Sequence, residues 1–172
     1  SDNFFTTMDL ILFGIQGSGK GTQAKILAEK YGFSIFETGA ELRKIRAEDS
    51  ELGKTVRKII DRGDLVPNTI VMEIVAHFLE NVPADTRVLF DGLPRSFEQK
   101  ETFDALLAAK NRETQGIFLT VPRDEAIARM LDRGRADDTQ EVIERRLQNY
   151  ETETLPVIEA YEQEEKDAED EG

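Results

Sequence analysis

Short apolar runs in this chain alternate with longer stretches in which apolar residues return every three or four positions. "MDLILFG", "FSIFE", "TRVLFDG" and "QGIFLTV" have the length and composition of buried strands. Each leads into a helical pattern. The first runs into "KGTQAKILAEKYG", where Ala24, Ile26, Leu27 and Tyr31 recur near helical spacing and Gly32 supplies a stop. "FSIFE" precedes "AELRKIRAED", "SELGKTVRKIIDRG" and "NTIVMEIVAHFLENV"; "TRVLFDG" precedes "SFEQKETFDALLAAK"; "QGIFLTV" precedes "RDEAIARMLDRG". From Thr139 to about Lys166 the pattern is helical, with Pro156 marking a break or a start. Strands that alternate with helices predict one α/β domain, a central parallel sheet covered by helices on both faces.

Composition narrows this picture. With 172 residues, 39% of them hydrophobic, the chain can bury one sizeable core. There is no cysteine, so disulfides and a thiolate zinc site are excluded. No apolar run approaches the roughly 20 residues that span a bilayer, and the first residues lack the basic-then-apolar order of a signal peptide, so a soluble cytoplasmic protein is expected. A net charge of −13 argues against binding to nucleic acid or to anionic membranes. Much of that charge is local: the last twelve residues, "YEQEEKDAEDEG", hold seven acids and one lysine and read as a solvated acidic tail over 162–172. Met8 reads as the natural start, with 1–7 as a leader or remnant.

The stretch "GIQGSGKGT" carries the first chemistry. Gly14, four intervening residues, Gly19 and Lys20 have the spacing of a phosphate-binding loop between a strand and a helix. Glycines let successive N–H groups turn inward around an anion, the helix adds its positive end, and a lysine ammonium reaches the outer phosphates. Gly17, Ser18, Gly19, Lys20, Gly21 and Thr22 are therefore candidate phosphate-binding residues. In "VLFDGLPRSFEQ" an apolar strand ends in Asp91, placed to hold a magnesium ion through water. Gly92 allows close backbone approach, and Arg95 can fork onto a phosphate.

With Gly21 and then Thr22 after the lysine, "GSGKGTQ" resembles the nucleoside monophosphate kinases, and the adenylate kinase family in particular. The resemblance covers nearly the whole chain. "FETGAELR" is similar to the family's "STGDLLR", which implies that Thr38 and Gly39 approach the acceptor base and Arg43 holds its phosphate. "RGDLVPN" is similar to "GxLVP" and assigns Asp64, Leu65 and Val66 to the adenine. "DGLPRSFEQ" resembles "DGFPRTxxQ" and adds Gly92, Leu93, Pro94, Arg95 and Gln99 to the AMP site. "IARMLDRGRADD" and "VIERRLQNY" resemble the lid and the helix after it. They imply that Arg129, Arg133, Arg135 and Arg146 converge on transferring phosphates, Arg129 and Arg133 on the ATP side and Arg135 and Arg146 on the AMP side. Arg145 is expected to face elsewhere, and His77 is given no role.

The fold implied is that of P-loop nucleoside triphosphate hydrolases, with a helical monophosphate-binding insert over 37–66 and a short lid over 132–138. The implied function is reversible phosphoryl transfer from ATP to AMP giving two ADP, with magnesium and without zinc, by a monomer whose partners are the nucleotides ATP, AMP and ADP. Lys20, Arg95, Arg129, Arg133, Arg135 and Arg146 form the expected catalytic set. Thr38 and Gln99 favour AMP over UMP or CMP. A pyrimidine nucleoside monophosphate kinase and a catalytically weak nucleotide sensor are the alternatives, while a GTPase switch lacks its "NKxD" motif. Three departures stand out. Ala40 occupies the position of the family's aspartate after "TG", with Glu41 next; Gln16 and Leu93 replace a proline and a phenylalanine. "EEKDAEDEG" has no strand pattern where the family continues with a last strand and helix, so a four-stranded core with an uncovered sheet edge and a weaker donor site is expected.

Overall fold

The computed structural model of the protein describes residues 8–15, 17–61, 66–134 and 139–171. Its parallel sheet has the order β2-β3-β1-β4 among the described residues, from β1 (Met8–Phe13), β2 (Ser34–Glu37), β3 (Val88–Asp91) and β4 (Glu113–Phe118). Leu12 and Glu37 are both in register with Asp91, so the strand ends that carry polar residues meet at one edge of the sheet. The chain crosses from β1 to β2 on one side and returns from β3 to β4 on the other. The strand order therefore reverses at β1 and β3, where open α/β sheets bind ligands.

Alternation along the strands divides the core in two. Ile11, Phe13, Phe36, Val88 and Phe90 face α4 (Asn68–Asn81), α5 (Phe97–Ala109) and α8 (Leu155–Glu171). Phe90 meets Phe103 edge-on with ring centres 4.9 Å apart, and Phe36 meets Phe78 at 5.0 Å. Leu12 and Leu89 point to the opposite face, against Ala24 of α1 (Lys20–Tyr31). Helices α2 (Thr38–Ala47) and α3 (Glu51–Asp61) extend beyond β2, while α6 (Arg123–Asp132) and α7 (Gln140–Asn149) share a small core of Ala126, Met130, Ile143 and Leu147. None of the helices among the described residues is long and apolar enough to cross a membrane.

Three features differ from the sequence expectation. β4 begins at Glu113, ahead of the apolar run, because it is an edge strand whose single neighbour β1 leaves half of it to solvent, where polar residues are tolerated. The break before Pro156 is a π-helical turn, Tyr150–Thr154, in which Leu155 N–H donates to the Tyr150 carbonyl. Pro156 has no N–H to return to the preceding turn, and the wider winding takes up the mismatch. The acidic stretch is helical to Glu171 and exposed. Its helix is anchored by Val157, Ile158 and Tyr161 in the main core, and two of its acids have partners on other elements. Glu164 Oε1 lies 2.8 Å from Lys100 Nζ, and Glu165 Oε1 accepts from Gly116 N–H at 3.1 Å. That carboxylate covers an outward N–H of β4, so the expected bare edge is partly capped.

Lys100 is itself buried, 2.6 Å from Asp104 Oδ2 and 4.4 Å from the Tyr161 ring centre. At the opposite edge of the sheet from the strand ends, Asp9 is fully buried and accepts from Val88 N–H at 2.8 Å and from Arg112 Nη1 at 3.0 Å. Arg112 also donates to the Thr86 and Pro83 carbonyls. Desolvation raises the Asp9 pKa despite that guanidinium. The pair ties the starts of β1, β3 and β4 together.

Candidate active site

The loop after β1 turns sharply enough that side chains would not fit. A Cβ on Gly14 would lie 2.7 Å from Ser18 Oγ; one on Gly17, at φ 84°, would lie 2.8 Å from the Ala126 carbonyl oxygen. The loop is therefore pressed against α6. Ser18 N–H closes it onto the Ile15 carbonyl at 3.1 Å, and α1 starts at Lys20. The first N–H groups of a helix have no partner within it, which suits such a start to an anion.

Lys20 Nζ lies 2.5 Å from Asp91 Oδ1, with both side chains largely shielded from solvent. The contact is an ion pair by distance; among the described residues Oδ1 takes no hydrogen bond of acceptable geometry, and Ser18 Oγ is likewise buried without a partner. Two cavities meet here. One, of about 380 Å³, is lined by Gly17, Gly19, Lys20, Thr22, Arg129 and Arg133. The other, of about 270 Å³, is lined among others by Lys20, Gly92, Arg95, Arg146, Tyr150 and Thr154. Lys20 borders both.

The arginines are held in different ways. Arg129 Nη1 donates to the Gly17 carbonyl at 3.1 Å, and its Nη2 lies 2.5 Å from Glu125 Oε1. Arg95 Nε donates to the Gly92 carbonyl at 2.9 Å, folding the guanidinium back over its own loop. Its N–H donates to Gln99 Oε1, and its carbonyl accepts from the Thr154 hydroxyl at 2.9 Å. Arg43, on α2, is 75% exposed and 3.6 Å from Glu37 Oε2. Arg145 is also exposed and faces Glu141.

Around the second cavity, Thr38 Oγ1 donates to the Gly92 carbonyl at 3.4 Å, which joins the ends of β2 and β3. Gln99 is buried, and its Nε2 donates to Asn68 Oδ1 at 2.9 Å. Each end of that amide thus keeps one further hydrogen-bonding position. Leu93 is turned into the main core, and Pro94 lines the second cavity. Val66 packs on the core before α4. Asp64, Leu65 and Arg135, with Gln16 and most of the expected lid, lie outside the described residues. Glu41, which follows Ala40, is buried on the same stripe of α2 as Ile45 and pairs with Lys44 at 3.1 Å.

Sequence reasoning missed Glu37, Asn68, Tyr150 and Thr154. Glu37 caps α2 and sits at a strand end, a position visible in "FETG" once the strand is placed. Tyr150 and Thr154 reach the cavity through the π-helical turn, for which the only signal is Pro156. The Tyr150 hydroxyl is buried without a partner among the described residues, and burial pushes its pKa up to about 12, so it is a neutral donor in the ordinary pH range.

The residues also suit a magnesium ion carried by a triphosphate. Among the described residues, Asp91 offers a buried carboxylate oxygen whose only close partner is an ammonium, and no cluster of three or more acids or histidines forms a closed cage. Magnesium typically takes one or two carboxylates, with water and phosphate oxygens completing its shell.

A strand, a glycine loop, a lysine at a helix start and a strand-end aspartate define a P-loop nucleotide-binding protein of the α/β class. A family model described as adenylate kinase matches residues 12–166. The chain is 38% identical to the adenylate kinase of Bacteroides thetaiotaomicron over 164 residues, 92% of this chain and 87% of that protein. It is 40% identical over 158 residues to the adenylate kinase of Thermus thermophilus, covering 89% and 82%, and 39% identical over 155 residues to that of a Mycobacterium species. The chain belongs to the adenylate kinase family.

Proposed function

We propose that this protein catalyses reversible transfer of the ATP γ-phosphate to AMP, giving two ADP. The observation that carries the reading is Lys20, which borders both cavities and sits on Asp91 at the switch point of the sheet. The donor triphosphate occupies the cavity with Gly17, Ser18, Gly19, Gly21, Thr22, Arg129 and Arg133, and AMP enters the one with Gly92, Arg95 and Arg146. The transferring phosphoryl group then lies beside Lys20.

Phosphoryl transfer spreads charge over the moving group and asks mainly for positioning and electrostatic stabilisation. The loop N–H groups and Lys20 supply both on the donor side, once Lys20 exchanges Asp91 for phosphate. Asp91 is then free to hold the water shell of magnesium, which supplies neutralisation of the donor phosphates when bound. Arg95 leaves the Gly92 carbonyl, and Arg43 leaves Glu37, for the acceptor phosphate. Gln99, with one donor and one acceptor position in reserve, and Thr38 read the adenine edge. The remaining assignments, Asp64, Leu65 and Arg135, belong to the same proposal, as do the insert over 37–66 and the lid over 132–138. We place the enzyme, as a monomer, in the cytoplasm with its nucleotide substrates.

The test is an ADP-forming assay with ATP and magnesium in which AMP, UMP and CMP are offered in turn. AMP should be the preferred acceptor, with two ADP formed per ATP consumed. ATP consumption that does not depend on any monophosphate would overturn the reading.

A further inference from the structure

We propose that Glu37 sets the affinity of the acceptor site, as a fixed carboxylate that competes with the acceptor's phosphate for Arg43 and the start of α2. The inference rests on the reading above that Arg43 holds that phosphate. Glu37 ends β2 in register with Asp91, and its extended backbone, φ −122° and ψ 124°, turns the side chain over the first turn of α2. Oε1 accepts from Gly39 N–H at 2.9 Å and Oε2 from Ala40 N–H at 2.7 Å. A carboxylate thus already occupies donors that an incoming anion would use at this helix start.

The same Oε2 lies 3.6 Å from Arg43 Nη2. The three residues are tightly grouped: a Cβ on Gly39 would meet Glu37 Oε1 at 3.0 Å and Arg43 Nη1 at 3.3 Å. A phosphate approaching Arg43 therefore meets a full negative charge beside it. The distances say which contact yields. The two backbone bonds are short and charge-assisted, whereas the Arg43 contact is long and its guanidinium largely exposed, so it is worth little. Arg43 moves to the phosphate and Glu37 stays.

A stationary carboxylate weakens binding of AMP and speeds release of ADP from the acceptor side, without touching the transferring group. Donor affinity should be independent of it. Glu37 is also separate from Glu41, whose buried carboxylate pairs with the exposed Lys44.

The experiment compares E37S, E37Q and E37D in the full chain. Serine caps a helix well, so E37S removes the charge and keeps the cap. AMP binding measured by calorimetry, and KM for AMP, should tighten about three- to tenfold in E37S and E37Q, as expected for removing one charge near a dianion in a solvated site. The gain should shrink as salt is raised. KM for ATP should not move, and E37D should keep the original AMP affinity. Weaker or unchanged AMP binding in E37S would overturn the proposal, since the carboxylate would then position Arg43 or play no part. R43M separates the two readings. If it raises KM for AMP at least tenfold while E37S does nothing, only the role of Glu37 falls; if R43M leaves KM unchanged, the acceptor-site reading falls with it.

Discussion

The proposed donor and acceptor halves of the cleft are built from different material. The donor half is mostly backbone: a glycine loop pressed on α6, the start of α1, and an Arg129 that holds the Gly17 carbonyl. The acceptor half is mostly side chains drawn from separate elements: Arg43 on α2, Gln99 on α5, Arg95 between β3 and α5, and Thr154 on the π-helical turn. Backbone N–H groups cannot leave their places, whereas Arg43 and Arg95 are held by Glu37 and the Gly92 carbonyl and, in the proposed role, have to move to bind a phosphate. On this reading the donor site, apart from Lys20, which exchanges Asp91 for phosphate, is prepared before its ligand arrives, and the acceptor site is completed by it. Preorganised donors stabilise charge without reorganising at the moment of reaction.

The largest effect expected from this contrast is at Lys20, where the halves meet. K20M should lower kcat by a factor of about a thousand or more, the scale of several kcal/mol of lost electrostatic stabilisation. Single-turnover kinetics checks this, with a melting curve to show that the fold survives. A near-normal kcat would remove Lys20 from the chemistry and dissolve the contrast.

That lysine was legible because its whole site is consecutive: strand, glycines, lysine and helix follow one another within "LILFGIQGSGKGTQ". Asp91 was legible for the same reason, as the last residue of a short apolar run. The acceptor side is assembled across the chain, so residue spacing alone did not assemble it, and only resemblance pointed to Arg43 and Gln99. Thr154 depends on a change of helical winding, and Asp9 pairs with a residue 103 positions away. Neither leaves a local pattern. The acidic stretch misled in the other direction: it carries no apolar alternation, yet Tyr161 anchors it, and Lys100 and the Gly116 N–H receive two of its acids.

The next effect tests the rigidity of the donor half. G17A places a methyl 2.8 Å from the Ala126 carbonyl oxygen at φ 84°. It should cost about 1–3 kcal/mol of stability, the scale of backbone strain at such a site, and raise KM for ATP more than KM for AMP. Denaturant unfolding and two-substrate kinetics measure both. Equal changes in the two KM values would mean that the loop does not belong to the donor alone.

On the acceptor side, T154V removes the hydroxyl that donates to the Arg95 carbonyl. Losing one such bond is worth about 1 kcal/mol, so kcat/KM for AMP should fall about fivefold with KM for ATP unchanged. T154S should restore it. Loss of ATP affinity instead would show that the π-helical turn supports the donor.

The last effect, on specificity rather than on rate, concerns the base. Q99N with T38A should reduce the preference for AMP over UMP by about tenfold, the scale on which unmet partners of a buried base edge discriminate. The ratio of kcat/KM for the two acceptors reports it. An unchanged ratio would take these residues out of base recognition while leaving the phosphate clamp in place.

The central claim is that the two halves form one cleft with Lys20 at the joint, and a bisubstrate ligand of two adenosines joined through five phosphates addresses it directly. Calorimetry should give one ligand per chain, with affinity far above that of ATP or AMP alone. Saturating ATP and saturating AMP should each displace it, and K20M should weaken it strongly. Two ligands per chain, or displacement by ATP but not by AMP, would contradict a single cleft.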